Sequence, residues 1–165
     1  MRIVDNFLPS SQFKELQSFM LGDNFPWFFN DHITNPGDGH YQYTHTFYRY
    51  DINLASQWHY LIHDCLRELG PKKIYRIKAN LNPQESSHVR GGYHVDFSKK
   101  REGVDCTTSI LYLNTNNGWT QFKNGDKVDC VENRMVFFKS KLKHEGVGCT
   151  DQLRKVVINF NYEKD

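Results

Sequence analysis

Ile74-Tyr75-Arg76-Ile77-Lys78-Ala79-Asn80-Leu81-Asn82 is the stretch that sets the fold class. Tyr75, Ile77, Ala79 and Leu81 fall on one face; Arg76, Lys78, Asn80 and Asn82 fall on the other. That two-residue period is the mark of a half-buried strand. Downstream, Thr107 to Asn114, Arg134 to Lys139, Leu142 to Val147 and Leu153 to Tyr162 also read as strands. Gly91-Gly92, Asn116-Asn117-Gly118 and Asn124-Gly125-Asp126 supply turns between them. Short strands at close spacing predict a sandwich or barrel.

Upstream of Pro71 the period is helical. Phe13, Leu16, Phe19 and Met20 follow Pro9-Ser10-Ser11, where a serine is expected to cap the helix. Leu54, Trp58, Leu61, Ile62, Cys65, Leu66 and Leu69 predict a second helix that stops at Gly70-Pro71. Asn30 to Tyr43, rich in Gly, Asn, Asp and His, reads as a loop. No linker separates the parts. The expectation is one domain over 1–165, mainly β with flanking helices, in which 1–72 form a helical N-terminal support and 73–163 a β core.

Composition narrows the function. The 165 residues suit a single core, and 38% apolar content with 15% aromatics describes a polar, aromatic-rich globular chain. No run is long and apolar enough for a membrane span, so no membrane partner is expected. Met1-Arg2-Ile3-Val4-Asp5 has no apolar stretch of the secretory type. With 21 basic and 19 acidic residues, bulk electrostatics argue against nucleic acid as a partner. Cys65, Cys106, Cys130 and Cys149 form no C-x-x-C pair and read as free thiols in a reducing, cytoplasmic setting.

His94-Val95-Asp96 is the first chemical feature. On a strand, residues two apart share a face, so an imidazole and a carboxylate converge on one ion. Alone the pair is weak, and a surface turn explains it as well. His144 lies in a strand-like stretch fifty positions on, and Arg154 follows ten later. Arg154 shares a predicted face with Val156, Ile158, Phe160 and Tyr162, which are mostly apolar. A guanidinium there needs a partner, and the strand offers no acid; a ligand carboxylate would serve. Two imidazoles and one carboxylate leave open positions on a metal, the facial arrangement of non-haem Fe(II) oxygenases.

With these residues in place, the span from Ile74 to Tyr162 resembles the catalytic core of the Fe(II)/2-oxoglutarate-dependent dioxygenases, most of all their prolyl 4-hydroxylase-like branch. H-x-D at His94 and Asp96, distal His144 and then Arg154 match the family pattern. Tyr112-Leu113-Asn114 resembles the family's Tyr-Leu-Asn, and Asn80-Leu81-Asn82 resembles its N-x-Y with Asn82 replacing the tyrosine. Ile3-Val4-Asp5-Asn6-Phe7-Leu8-Pro9 ahead of a helix resembles the start of such chains. Asn114-Thr115-Asn116-Asn117-Gly118 and the short length are similar to small oxygenases of tailed phages, which would place the protein in a host cytoplasm.

The resemblance implies a double-stranded β-helix, the cupin-like jelly roll, with His94, Asp96 and His144 as metal ligands. It implies Fe(II), with 2-oxoglutarate and O2 as cosubstrates and ascorbate as an accessory reductant. Arg154 would hold the far carboxylate, Tyr112 would bond to it, and Asn80 and Thr108 would contact the cosubstrate. For Thr108, a structural strand threonine is an equal reading. The implied reaction hydroxylates a prolyl residue in a peptide or protein as 2-oxoglutarate becomes succinate and CO2. Two alternatives stand beside it: a related oxygenase acting on a small molecule or nucleobase, and a non-catalytic metal-binding jelly-roll module. AlkB-type dealkylases carry a second arginine six residues after the first; here that position is Phe160, which counts against them.

Several features have blander readings. The aromatic run Tyr41 to Tyr50 suits a substrate groove, but a strand packed on both faces is favoured about two to one. Ser98-Lys99-Lys100-Arg101-Glu102 suits a basic rim, but a solvated loop is favoured about three to one. His32, His40, His45 and His88 are read as surface or loop residues, and Trp27 and Trp119 as core.

Overall fold

The computed structural model describes residues 1–96 and 106–164. Among them, strands form at Arg2–Val4 (β1), Phe28–Asn30 (β2), Gln42–Arg49 (β3), Leu54–Ala55 (β4), Lys73–Pro83 (β5) and Cys106–Tyr112 (β6). Five more follow: Trp119–Phe122 (β7), Lys127–Asp129 (β8), Met135–Lys139 (β9), His144–Val147 (β10) and Arg154–Glu163 (β11). Helices cover Ser10–Leu21 (α1) and His63–Leu69 (α2). No described helix is long and apolar enough to cross a membrane.

The large sheet runs β1-β9-β6-β11-β5-β3-β2, with β4 paired to β3. The small sheet runs β10-β7-β8, and isolated bridges Arg90↔Val147 and His94↔His144 lay residues 90–94 along its β10 edge. Four central strands of the large sheet thus face four segments of the small one, all antiparallel. This is the jelly roll expected from the sequence.

Alternation places the cores. Ile77, Ala79 and Leu81 of β5 and Val156, Ile158, Phe160 and Tyr162 of β11 are buried in one cluster with Phe13, Leu16 and Met20 of α1 and Cys65 and Leu69 of α2. Each Val, Leu, Ile, Phe or Met among them is worth roughly 1.5–3 kcal/mol when fully buried, so the helices are held by the outer face of the large sheet. Ile110, Tyr112, Phe122, Val128, Val136 and Phe138 form a second cluster between the sheets. The inner faces of β5 and β11 beyond that cluster carry Arg76, Lys78, Asn80 and Asn82, and Lys155, Asn159 and Asn161. They are left to line a cavity.

Three expectations change. The helix predicted from Leu54 to Leu69 is α-helical only over its last seven residues. Leu54 and Ala55 pair with β3, a 3-10 turn covers His59–Ile62, and the left-handed Asn53 separates β4 from what precedes it. The stop is as read: Gly70 is left-handed at φ 57°, and its N–H donates to Leu66 at 2.9 Å. At α1 the cap residue is Pro9, with no serine side-chain bond. Third, residues 1–72 supply β1 to β4 as well as helices, so they extend both edges of the large sheet. The aromatic run is β3, an internal strand with Gln42, His45 and Phe47 buried, in line with the favoured reading.

Candidate metal centre and its cavity

His94 and His144 exchange both backbone hydrogen bonds, at 2.9 and 3.0 Å. That pairing brings two residues fifty apart side by side, with ring centroids 4.7 Å apart. His94-Val95-Asp96 is not in a regular strand; this one bridge, with its neighbours, fixes it. Glu145, buried beside His144, forms an ion pair with Arg90 and accepts the Gly92 N–H at 3.1 Å. Gly91 donates to the Gly146 carbonyl at 2.9 Å. A Cβ on Gly91 would stand 2.8 Å from the Ile33 side chain, so the close approach there requires glycine.

His94, Asp96 and His144 each offer a ligand atom, all within 4.8 Å of one another. Each imidazole is aimed. His144 Nδ1 donates to the Leu142 carbonyl at 3.0 Å, and His94 Nδ1 to the Gly92 carbonyl at 3.0 Å. Both Nε2 atoms are left to face Asp96, at 4.0 Å from His94 and 3.8 Å from His144. Burial lowers the His144 pKa, partly offset by Asp96, so the ring is a neutral ligand at pH 7.

Asp96 is held by three donors. Arg76 Nη2 reaches one oxygen at 3.0 Å; Thr108 Oγ1 and Asn161 Nδ2 reach the other at 2.7 and 3.1 Å. Arg76 Nε in turn donates to Asn161 Oδ1 at 2.9 Å. Burial raises the Asp96 pKa, but Arg76 first, then His144, Thr108 and His94, outweigh it and hold the carboxyl below its ordinary value. Two imidazoles and an ionised carboxylate, each oriented by an outer partner, fit a facial Fe(II) site.

The triad opens on a cavity of about 710 Å3. One wall is the inner face of β5 and β11: Arg76, Lys78, Asn80, Asn82, Lys155, Val157 and Asn159. The Asn80 amide oxygen is buried there without a hydrogen-bond partner, an orphan polar atom of the kind a ligand satisfies. Residues 30–42 form part of the opposite wall. Asp38 shapes this loop by accepting N–H bonds from Ile33, Thr34, Asn35 and His40 at 2.9–3.3 Å.

The structure corrects three assignments around the ligands. Arg154 does not reach the cavity: its guanidinium donates to the Leu21 carbonyl at the C-terminus of α1. The inference that it needs a partner is right, but the partner is a helix-end carbonyl. Lys155, next in the chain, faces the other way. It is 3% exposed, and its Nζ donates to the Trp119 and Val147 carbonyls at 2.9 and 2.8 Å while lining the cavity. Tyr112 is fully buried, and its hydroxyl pairs with Thr120 Oγ1 at 2.7 Å; Thr120, not Tyr112, meets the cavity. Thr108 bonds Asp96 and Ser140, so it supports the metal ligand. Asn80 lies in the cavity wall.

Sequence reasoning gave Lys155 only as the fallback for Arg154 and passed over Asn161, Arg76 and Glu145. The signal for Lys155 and Asn161 was the alternation itself: Lys155, Val157, Asn159 and Asn161 are the more polar face of β11. Of the histidines, His32 and His40 line the cavity, and His88 meets Trp119 edge to face. His45 is buried, bonded to the Pro26 carbonyl and Ser56 at 2.9 and 2.8 Å. The basic stretch Ser98 to Glu102 lies outside the described residues.

No family model and no curated protein matches the chain. Solved structures do. A viral collagen prolyl hydroxylase from Paramecium Bursaria Chlorella virus-1, complexed with 2-oxoglutarate, superposes with a TM-score of 0.64 at 13% identity, covering 97% of this chain and 93% of that one. A 2OG-Fe(II) oxygenase family oxidoreductase from Burkholderia pseudomallei gives 0.64 at 13% identity, over 99% and 85%. A Trichoplax adhaerens prolyl hydroxylase, complexed with a hypoxia inducible factor peptide fragment, gives 0.60 at 18% identity, over 98% and 82%. The chain has the fold of the Fe(II)/2-oxoglutarate oxygenases. Its neighbours include prolyl hydroxylases and also SnoN, a non-heme alpha ketoglutarate dependent epimerase from nogalamycin biosynthesis, at a TM-score of 0.62 and 12% identity over 98% of this chain and 76% of that one.

Proposed function

We propose that the protein is an Fe(II)- and 2-oxoglutarate-dependent dioxygenase that hydroxylates a prolyl residue in a peptide or protein. The observation that carries this reading is one cavity holding both an oriented His-Asp-His triad and a buried lysine with no carboxylate partner among the described residues. Fe(II) and 2-oxoglutarate, when bound, supply O2-dependent hydroxylation of a C–H bond with release of succinate and CO2.

The chain's part is positional. His94, Asp96 and His144 would hold the metal where the triad opens on the cavity. The Lys155 ammonium, held by the Trp119 and Val147 carbonyls and next to the Cys130 thiol, would be the cation for the far carboxylate of the cosubstrate. Thr120, held by Tyr112, and the Asn80 amide add polar contacts. Apolar Val157 and Ile110 on the same wall shelter the centre from water. The prolyl assignment draws on the neighbours, one a collagen prolyl hydroxylase and one bound to a peptide.

Anaerobic titration of the Fe(II)-loaded protein with 2-oxoglutarate tests the class. A saturable visible charge-transfer band, weakened in Lys155→Ala, is expected. Folded, metal-loaded protein without a band would overturn the oxygenase reading. Succinate release stimulated by prolyl peptides over matched alanyl peptides tests the substrate.

A further inference from the structure

Lys78 lies on the cavity wall between the triad and Lys155. The β5–β11 register orders that wall: Arg76 faces Asn161, Lys78 faces Asn159, Asn80 faces Val157, and Asn82 faces Lys155. Arg76 and Asn161 hold Asp96, so their rung marks the metal end. Lys78 is the next rung inward. Lys155 sits opposite a residue four positions further along β5, about 13 Å away at ~3.3 Å per residue.

Lys78 is partly buried, and among the described residues it has neither a hydrogen bond nor an ion pair. Of the cavity acids, Asp96 is taken up by Arg76, Thr108 and Asn161, and Glu85 lies beyond the Lys155 end of β5. Burial lowers the Lys78 pKa to about 8, Arg76 adds to the shift and Asp96 opposes it. The amine is therefore still mostly charged at neutral pH, and its charge is under-compensated. A semi-buried cation without an anion is costly unless a ligand supplies one.

2-Oxoglutarate does not supply it. Under the reading above, its near carboxylate is neutralised at the metal and its far one at Lys155. We infer that Lys78 anchors a carboxylate of the primary substrate, so that the hydroxylated carbon lies close to a carboxylate group. This inference rests on the proposed oxygenase function. It narrows the substrate to acidic prolyl peptides: a prolyl C-terminus or a proline next to an acidic side chain.

The test uses Mn(II)- and 2-oxoglutarate-loaded protein under nitrogen, with calorimetric binding of acetyl-Gly-Pro, its C-terminal amide, acetyl-Gly-Pro-Asp-amide, and acetyl-Gly-Leu as acid and amide. Wild type should favour an acid form over its neutral counterpart by roughly ten-fold, the size of one charge-assisted hydrogen bond. Lys78→Gln should erase the preference, and Lys78→Arg should keep most of it. Whether acetyl-Gly-Pro or acetyl-Gly-Pro-Asp-amide gains identifies the source of the carboxylate. Equal binding of acid and amide, a preference surviving in Lys78→Gln, or no binding of any probe would overturn the inference. So would a Lys78→Gln effect confined to 2-oxoglutarate affinity. An acid preference that is Lys78-dependent but equal for prolyl and leucyl probes would uphold the anchor and remove the prolyl reading.

Discussion

Arg154 and Lys155 are neighbours in the chain and serve opposite sides of β11. Arg154 closes the C-terminus of α1 through the Leu21 carbonyl, while Lys155 points into the cavity from between the Trp119 and Val147 carbonyls. Their substitutions should therefore separate. Lys155→Ala should raise the 2-oxoglutarate Kd about ten- to hundred-fold, the loss of a charge-assisted contact. Arg154→Ala should leave that Kd unchanged and lower stability by about 1–2 kcal/mol. Cosubstrate titration with denaturant melts checks both; a reversed pattern would return the clamp to Arg154.

Thr108 acts through Asp96. Thr108→Val removes the 2.7 Å bond to a ligand oxygen while keeping the side-chain shape. Loss of an outer partner of this kind costs roughly ten- to hundred-fold in metal affinity. Co(II) titration should show that fall, with the 2-oxoglutarate Kd unchanged once metal is saturating.

Glu145 ties the His94 arm to β10. Glu145→Ala leaves the half-exposed Arg90 free to hydrate but strips the Gly92 N–H of its acceptor. A destabilisation of about 1–3 kcal/mol follows, and metal affinity should fall because His94 is no longer fixed beside His144. Glu145→Gln keeps an acceptor for the Gly92 N–H and should lose less on both measures.

Asp38 gives the cavity loop its pH dependence. The Thr34 N–H, opposed by slight desolvation and joined by the His40, Ile33 and Asn35 N–H groups, lowers its pKa to about 2 from 3.8. A depressed folded value stabilises the loop above the unfolded pKa, and that contribution fades as pH falls from 3.8 through about 2. Protection factors for amide exchange at Ile33, Thr34, Asn35 and His40, taken against the intrinsic rate at each pH, should be high at pH 5 and fall toward pH 2. In Asp38→Ala they should be low at both.

The sequence by itself determined the β class, the strands near Ile74 to Asn82, Thr107 to Asn114, Arg134 to Lys139, Leu142 to Val147 and Leu153 to Tyr162, the stop of α2 at Gly70, and the triad, while β7 and β8 went unread. These signals are local: a two-residue period, a left-handed Gly70, and ligand types at set spacings. The alternation of β11 also separates Arg154 from Lys155, because adjacent strand residues point to opposite faces. Which face meets ligand was decided only when α1 and α2 packed on the side carrying Val156, Ile158, Phe160 and Tyr162. Arg154 found its partner at Leu21, 133 residues away, where no spacing rule reaches. Tyr112 and Thr108 were claimed by Thr120 and Asp96 in the same way. Leu54 followed β3 into the sheet although its periodicity was helical, because pairing with a neighbouring strand outweighs a marginal helical turn.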